Sequence, residues 1–171
     1  MAQALQERGV APAEALRLAW RSRGCPGIAL RALEDPAGLE AQDQELQEMV
    51  ASIRASLHQR FALAADIGQR FARNRSDVQS LLETWEEGWR DLLLVKEGAP
   101  DYVVHRQLQP GLAPLAEEME AGAMVRALRL IQETLDLLDQ NVNPRMALEH
   151  LLMGFPFLPP SPTDARSGDR A

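Results

Sequence analysis

The chain has 171 residues and a net charge of -7, from 25 acidic against 18 basic side chains. That length suits one domain with a small appendage, large enough to bury a core without disulfides or metals. A single cysteine, Cys25, excludes an intramolecular disulfide and a cysteine-based zinc site. The acidity disfavours tight binding to a phosphate backbone, and no apolar run is long enough to span a membrane.

Aromatic residues are only 5%, while Leu and Ala dominate. That balance favours helices packed through aliphatic side chains, so the expected class is all-α. The opening MAQALQERGV lacks a cationic segment followed by an apolar core, so a cytoplasmic protein is expected.

Residues 1–35 read as a helical hairpin. Gly9 and Pro12 punctuate its entry, and Leu16, Ala19 and Trp20 recur at helical spacing. Gly24 and Pro26 make the turn. Ala29, Leu30 and Leu33 stripe the second helix, which Asp35-Pro36 closes.

A long amphipathic segment follows, with Leu39, Leu46, Met49, Val50, Ile53 and Leu57 on one face. Phe61, Ala64, Ile67 and Phe71 continue a shorter helix. Ser76 to Gln79 has the form of a capping box opening the next helix. There Trp85 and Trp89 share a face with Leu81, Leu82 and Leu92, which predicts both in the core; Gly98 ends it.

Residues 99–111 are the least helical stretch, with Tyr102-Val103-Val104 readable as a short extended piece. Leu112 to Ala121 reads as another short helix. Met124, Ala127, Leu128, Ile131, Leu135 and Leu138 form a heptad-like stripe, so Leu128, Ile131 and Leu135 are expected in the core. Val125, Leu130 and Leu137 lie outside that stripe. A helix apolar over more than half its circumference is either fully buried or faces a second partner, which makes these three the candidate interface residues. Asn143 is a suitable N-cap, and Pro144 a suitable first residue, for a last helix carrying Leu148, Leu151 and Leu152. From Phe155 on, clustered prolines mark a disordered tail, with 157–171 as its extent.

No catalytic constellation emerges by spacing. His58, His105 and His150 have no metal-spaced partners and read as solvated or capping residues. Glu83, Glu87 and Asp91, at i, i+4 and i+8, read as an exposed acidic face rather than a cation site. Arg54, Arg60, Arg70, Arg73 and Arg75 cluster without interleaved aromatics, which favours a solvated or interface face over a nucleic-acid patch. Cys25 beside Arg23 has no neighbouring histidine and reads as a turn residue rather than a nucleophile. No phosphate-binding glycine loop precedes Lys96, the sole lysine, so no ATP binding and no other cofactor is expected.

Three stretches together resemble a known family. Leu82 to Leu93, reading LETWEEGWRDLL, resembles the "W..WWRDLL" helix of the bacterial DNA polymerase III delta-prime subunit, a member of the AAA+ clamp loader. LDLLDQNVNPRMALEHLLM resembles that family's leucine-rich helix, Asn-x-Asn-Pro and final helix. LAWRSRGCPGIALRALEDP resembles the end of its lid domain. The order and spacing match across residues 12–156.

The resemblance implies a lid remnant at 1–35 followed by a helical collar domain at 36–156. It implies a non-catalytic role in DNA replication: subunit assembly with gamma/tau and delta through the collar, with DNA met only through the complex and no membrane or small-molecule substrate. The family's nucleotide-binding core, which precedes the lid, has no counterpart in these residues. Ile28 stands where many members keep an arginine in the lid turn, and Ser22-Arg23-Gly24-Cys25 carries an extra Gly relative to the family's arginine-finger motif. The other reading is a free-standing helical adaptor that has kept the bundle and lost the complex.

Overall fold

The computed structural model describes residues 2–22, 26, 29–30, 35–140 and 142–159. Eight α-helices occur among them: α1 (Ala2–Gln6), α2 (Pro12–Arg21), α3 (Pro36–Arg54), α4 (Leu57–Arg73), α5 (Arg75–Lys96), α6 (Gln109–Glu118), α7 (Ala121–Asp139) and α8 (Pro144–Gly154). Two 3-10 turns, Pro100–Tyr102 and Arg106–Leu108, connect α5 to α6. No strand occurs among the described residues, so the all-α class holds.

The helix ends follow local chemistry. Asp35 caps α3 by accepting from the Gly38 N–H at 2.9 Å, with Pro36 in the first turn. The Asp35-Pro36 pair therefore opens a helix; the end of the helix expected before it lies outside the described residues. Gly98 takes φ +72°, and the N–H groups of Gly98 and Ala99 return to the carbonyls of Val95 and Leu94. This double closure satisfies carbonyls that the end of α5 leaves open, and only glycine adopts that φ without strain. The Asn143 side chain accepts from the N–H groups of Arg145 and Met146, capping α8 ahead of Pro144.

The capping box lies at a different place from the one expected. It joins α3 to α4: Ser56 Oγ accepts from Gln59 N–H at 3.4 Å and Gln59 Oε1 accepts from Ser56 N–H at 2.8 Å. The chain breaks at Ala55–Ser56, so Leu57 opens α4 as an exposed residue and does not extend the α3 stripe. At α5 the backbone turns extended at Asn74 and the helix restarts at Arg75, leaving Ser76 inside the first turn. Its hydroxyl donates to Asn74 Oδ1, and Gln79 reaches Asp139 on α7 instead of its own N-terminus.

α5 is the central element, touching α3, α4, α6 and α7, while α8 packs on α4 and α7. One core joins all six helices from α3 to α8. Trp85 and Trp89 are fully buried in it, with ring centroids 5.9 and 5.1 Å from Phe155, just beyond α8. Trp85 Nε1 donates to the Glu45 carbonyl of α3 at 2.9 Å. Gly88 lets α3 approach α5 closely: a Cβ there would sit 2.8 Å from both Leu46 Cδ2 and Met49 Sδ.

A second, smaller core gathers Leu5, Ala15, Leu18 and Ala29 with Leu39 of α3. The stripe expected on α2 faces outward here: Leu16 and Trp20 are exposed, and Ala15 and Leu18 are buried. Ala15 and Leu18 are the residues that α1 and α3 give something to pack against. The second helix of the expected hairpin falls largely outside the described residues, as do Arg23, Cys25 and Ile28.

Candidate functional site

Two buried charged side chains organise the bundle, and both sit on apolar stripes. Arg60 follows the spacing of Ala64, Ile67 and Phe71 along α4, and all four are buried. Its guanidinium donates to the carbonyls of Leu152 at 2.8 Å, Phe155 at 2.9 Å and Pro156 at 2.8 Å, and to Ile53 at 3.2 Å. These acceptors are carbonyls that the ends of α8 and α3 leave without intrahelical partners. A planar five-donor fork suits several acceptors at once. Burial pulls the Arg60 pKa below its usual value, because the charged guanidinium loses water.

The chain beyond α8 is drawn into this arrangement. Phe155 is buried, Leu158 N–H donates to the Ile53 carbonyl at 3.0 Å, and Arg54 donates to the Pro159 carbonyl. The reading of a tail from Phe155 is therefore corrected for residues 155–159. Proline-rich sequence resembles a linker, but here its free carbonyls meet buried donors. Residues 160–171 lie outside the described residues.

Asp91 is the second organiser. It is fully buried and accepts from Val104 N–H at 3.1 Å and His105 N–H at 2.8 Å. His105 is 2% exposed, and its Nε2 lies 3.1 Å from Glu87 Oε2. The acidic face expected at Glu83, Glu87 and Asp91 is thus divided. Glu83 is exposed, Glu87 is half-buried against His105, and Asp91 holds the 103–105 backbone. Nor is His105 solvated, because this loop folds back under α5. Val103 is extended but Pro100–Tyr102 is helical, so the expected extended piece shrinks to its end.

The arginine cluster is largely committed within the fold. Arg54 pairs with Glu118 at 2.6 Å, and Arg70 pairs with Asp77 at 3.1 Å and Glu45 at 3.7 Å. Arg75 donates to the Leu138 carbonyl and lies over the Phe71 ring. Arg73, the fifth, is exposed. Glu45 and Glu48 flank this region on α3. Burial pushes both carboxyl groups above their usual range, and in each Arg70 offsets part of that effect.

On α7, Ile131 is fully buried, while Leu128 and Leu135 are half-buried against the main core. Val125, Leu130 and Leu137 are half-buried rather than open, and Leu130 and Leu137 pack against that core. Leu130 also faces α8, where a Cβ on Gly154 would come within 2.5 Å of its Cδ1.

Surface concavities are shallow. A groove of 650 Å³ runs between α3, α4 and α6, lined by Val50, Ala51, Leu63 and Pro114 among others. A smaller one of 360 Å³ lies under Trp20, Leu94 and Tyr102. Beside it the Arg106 guanidinium stacks 3.6 Å above the Trp20 ring and joins the N-terminal unit to the bundle. No group of three His, Cys, Asp or Glu side chains among the described residues has the geometry to hold a metal ion. No helix among them is long and apolar enough to cross a membrane.

Sequence reasoning missed the roles of Arg60 and Asp91. The signal was present in the helical spacing, since each charge falls on the buried face of its own helix. No protein-family model, curated protein or solved structure matches the chain.

Proposed function

We propose that this chain is a non-catalytic assembly module of the DNA polymerase III clamp loader, acting in DNA replication by joining other subunits through its helical bundle. The bundle corresponds in this reading to the collar, and residues 1–35 to a remnant of the lid. Its partners are the gamma/tau and delta subunits, and it meets DNA only through the complex.

One observation supports the reading best. The two segments that carry the strongest resemblance are distant in sequence and adjacent in space. Trp85 and Trp89, from the first, pack on Phe155, which directly follows the helix carrying the second. Both segments serve one packing unit, as expected if they were selected together for a single bundle. The buried charges Arg60 and Asp91 bind backbone groups of this same chain, a scaffolding use of charge.

The test is a co-elution experiment with purified gamma/tau and delta subunits on a sizing column. A shared peak is expected. Separate elution at micromolar concentrations of every subunit favours the free-standing adaptor.

A further inference from the structure

Among the described residues, α8 buries one face and leaves the other without a partner. Ala147, Leu148, Leu151 and Leu152 point inward, whereas Met146 and Met153 are 65% and 55% exposed. Spaced seven residues apart, the two methionines lie within about 20° of one another around the helix. Exposed Val142 and Phe157 flank the helix at its two ends. These four are half of the eight large apolar side chains exposed among the described residues. Two lie on one face of α8 and two just beyond its ends, a local concentration that marks a contact surface rather than scattered exposure.

The charges beside this stripe select its occupant. Glu149 and His150 flank the methionine line on opposite sides, each about 50° from its centre. Glu149 is held in place by Arg145, whose Nε donates to its Oε1 at 2.8 Å. Two copies related by a two-fold axis parallel to α8 set Glu149 of each copy beside His150 of the other. The same axis brings Met146 against Met146 and Met153 against Met153. An antiparallel pairing instead sets carboxylate beside carboxylate on one rim and imidazole beside imidazole on the other. That arrangement opposes itself.

We propose that α8 is a self-association surface, on which a second copy of this chain docks with the two α8 helices parallel and Glu149–His150 contacts on both rims. An isologous contact of this kind closes on itself and forms a dimer rather than a fibre. Stable interfaces bury about 800 Å² per partner, and a three-turn helix face offers less, so the dimer is weak. This proposal is independent of the clamp-loader reading, since it concerns only copies of this chain.

Sedimentation equilibrium from about 10 to about 500 µM tests it, the range in which an interface of this size assembles. The mass is expected to climb from monomer toward dimer. Met153→Glu abolishes the rise while circular dichroism stays unchanged, because the side chain is exposed. Glu149→Lys weakens association about tenfold, the scale of the two rim contacts it disrupts, and adding His150→Glu restores it. In a Cys25→Ser background, Met146→Cys cross-links to itself under mild oxidation. A chain that stays monomeric at the highest concentration overturns the proposal. So does a dimer that survives Met153→Glu, or cross-linking that requires Met146→Cys mixed with Met153→Cys.

Discussion

The Arg60 guanidinium donates to the Leu152 carbonyl at 2.8 Å, tying the first turn of α4 to the last turns of α8 across 92 positions of sequence. Three further carbonyls converge on the same side chain. Arg60→Ala takes the donor from the Leu152, Phe155 and Pro156 carbonyls, while Ile53 keeps Leu158 N–H, and each such loss at a buried acceptor costs about 1–3 kcal/mol. A total destabilisation of about 3 kcal/mol or more is expected in urea unfolding. Arg60→Lys recovers only part of it, because an ammonium lacks the planar fork. An unchanged urea midpoint for Arg60→Ala refutes the assignment.

Trp85 and Trp89 are equally buried but differently bonded. Truncating either to Ala removes a fully buried aromatic and is expected to cost about 3–5 kcal/mol. The Phe variants separate them. Trp85→Phe loses the bond to the Glu45 carbonyl. Among the described residues Trp89 Nε1 has no acceptor, so Trp89→Phe removes a donor without a partner there. Chemical denaturation is expected to rank Trp85→Phe as the more damaging by about 1 kcal/mol. The reverse order contradicts this bonding.

Asp91 predicts a local effect. Charge-assisted bonds to backbone amides are worth about 1.5–3 kcal/mol, and Asp91→Ala removes those to Val104 and His105. Hydrogen exchange at these two amides is expected to accelerate, with helical amides of α7 and α8 less affected. Uniform acceleration throughout the chain means that Asp91 supports the whole bundle rather than this loop.

Glu45 and Glu48 set the sign of one pH effect. Burial raises both above the ordinary value of 4.5. The folded state therefore holds their protons more tightly than the unfolded chain does. Stability from these groups is fully present below the unfolded value and is lost as pH rises through the raised folded values. Glu48→Gln is expected to flatten that decline and to stabilise the protein more at pH 8 than at pH 4. Thermal melts at the two pH values provide the measurement, and equal shifts at both reject the argument.

Much of the secondary structure was legible in the sequence because its causes are local. The end of α5 at Gly98 depends on one positive φ, and the start of α8 depends on Asn143 and Pro144. The Trp85/Trp89 face follows from a single helical period. Local chemistry misled where two readings competed. Ser76 and Gln79 had the form of a capping box, yet the break at Asn74 moved the helix start and gave that role to Ser56 and Gln59.

What the sequence determined by itself was the all-helical class and the approximate place of most helices, since hydrophobic period and terminal residues act within a few positions. The tertiary structure alone decided which apolar face each helix buries and where its buried charges find partners. On α2, Leu16 and Trp20 compete with Ala15 and Leu18, and the period is the same for both pairs. The packing of Leu5 of α1, Ala29 and Leu39 of α3 against one side chooses between them. Arg60 and Asp91 follow the same logic. A charge on an apolar stripe costs stability until distant backbone groups satisfy it, and those groups reach it only when the bundle closes.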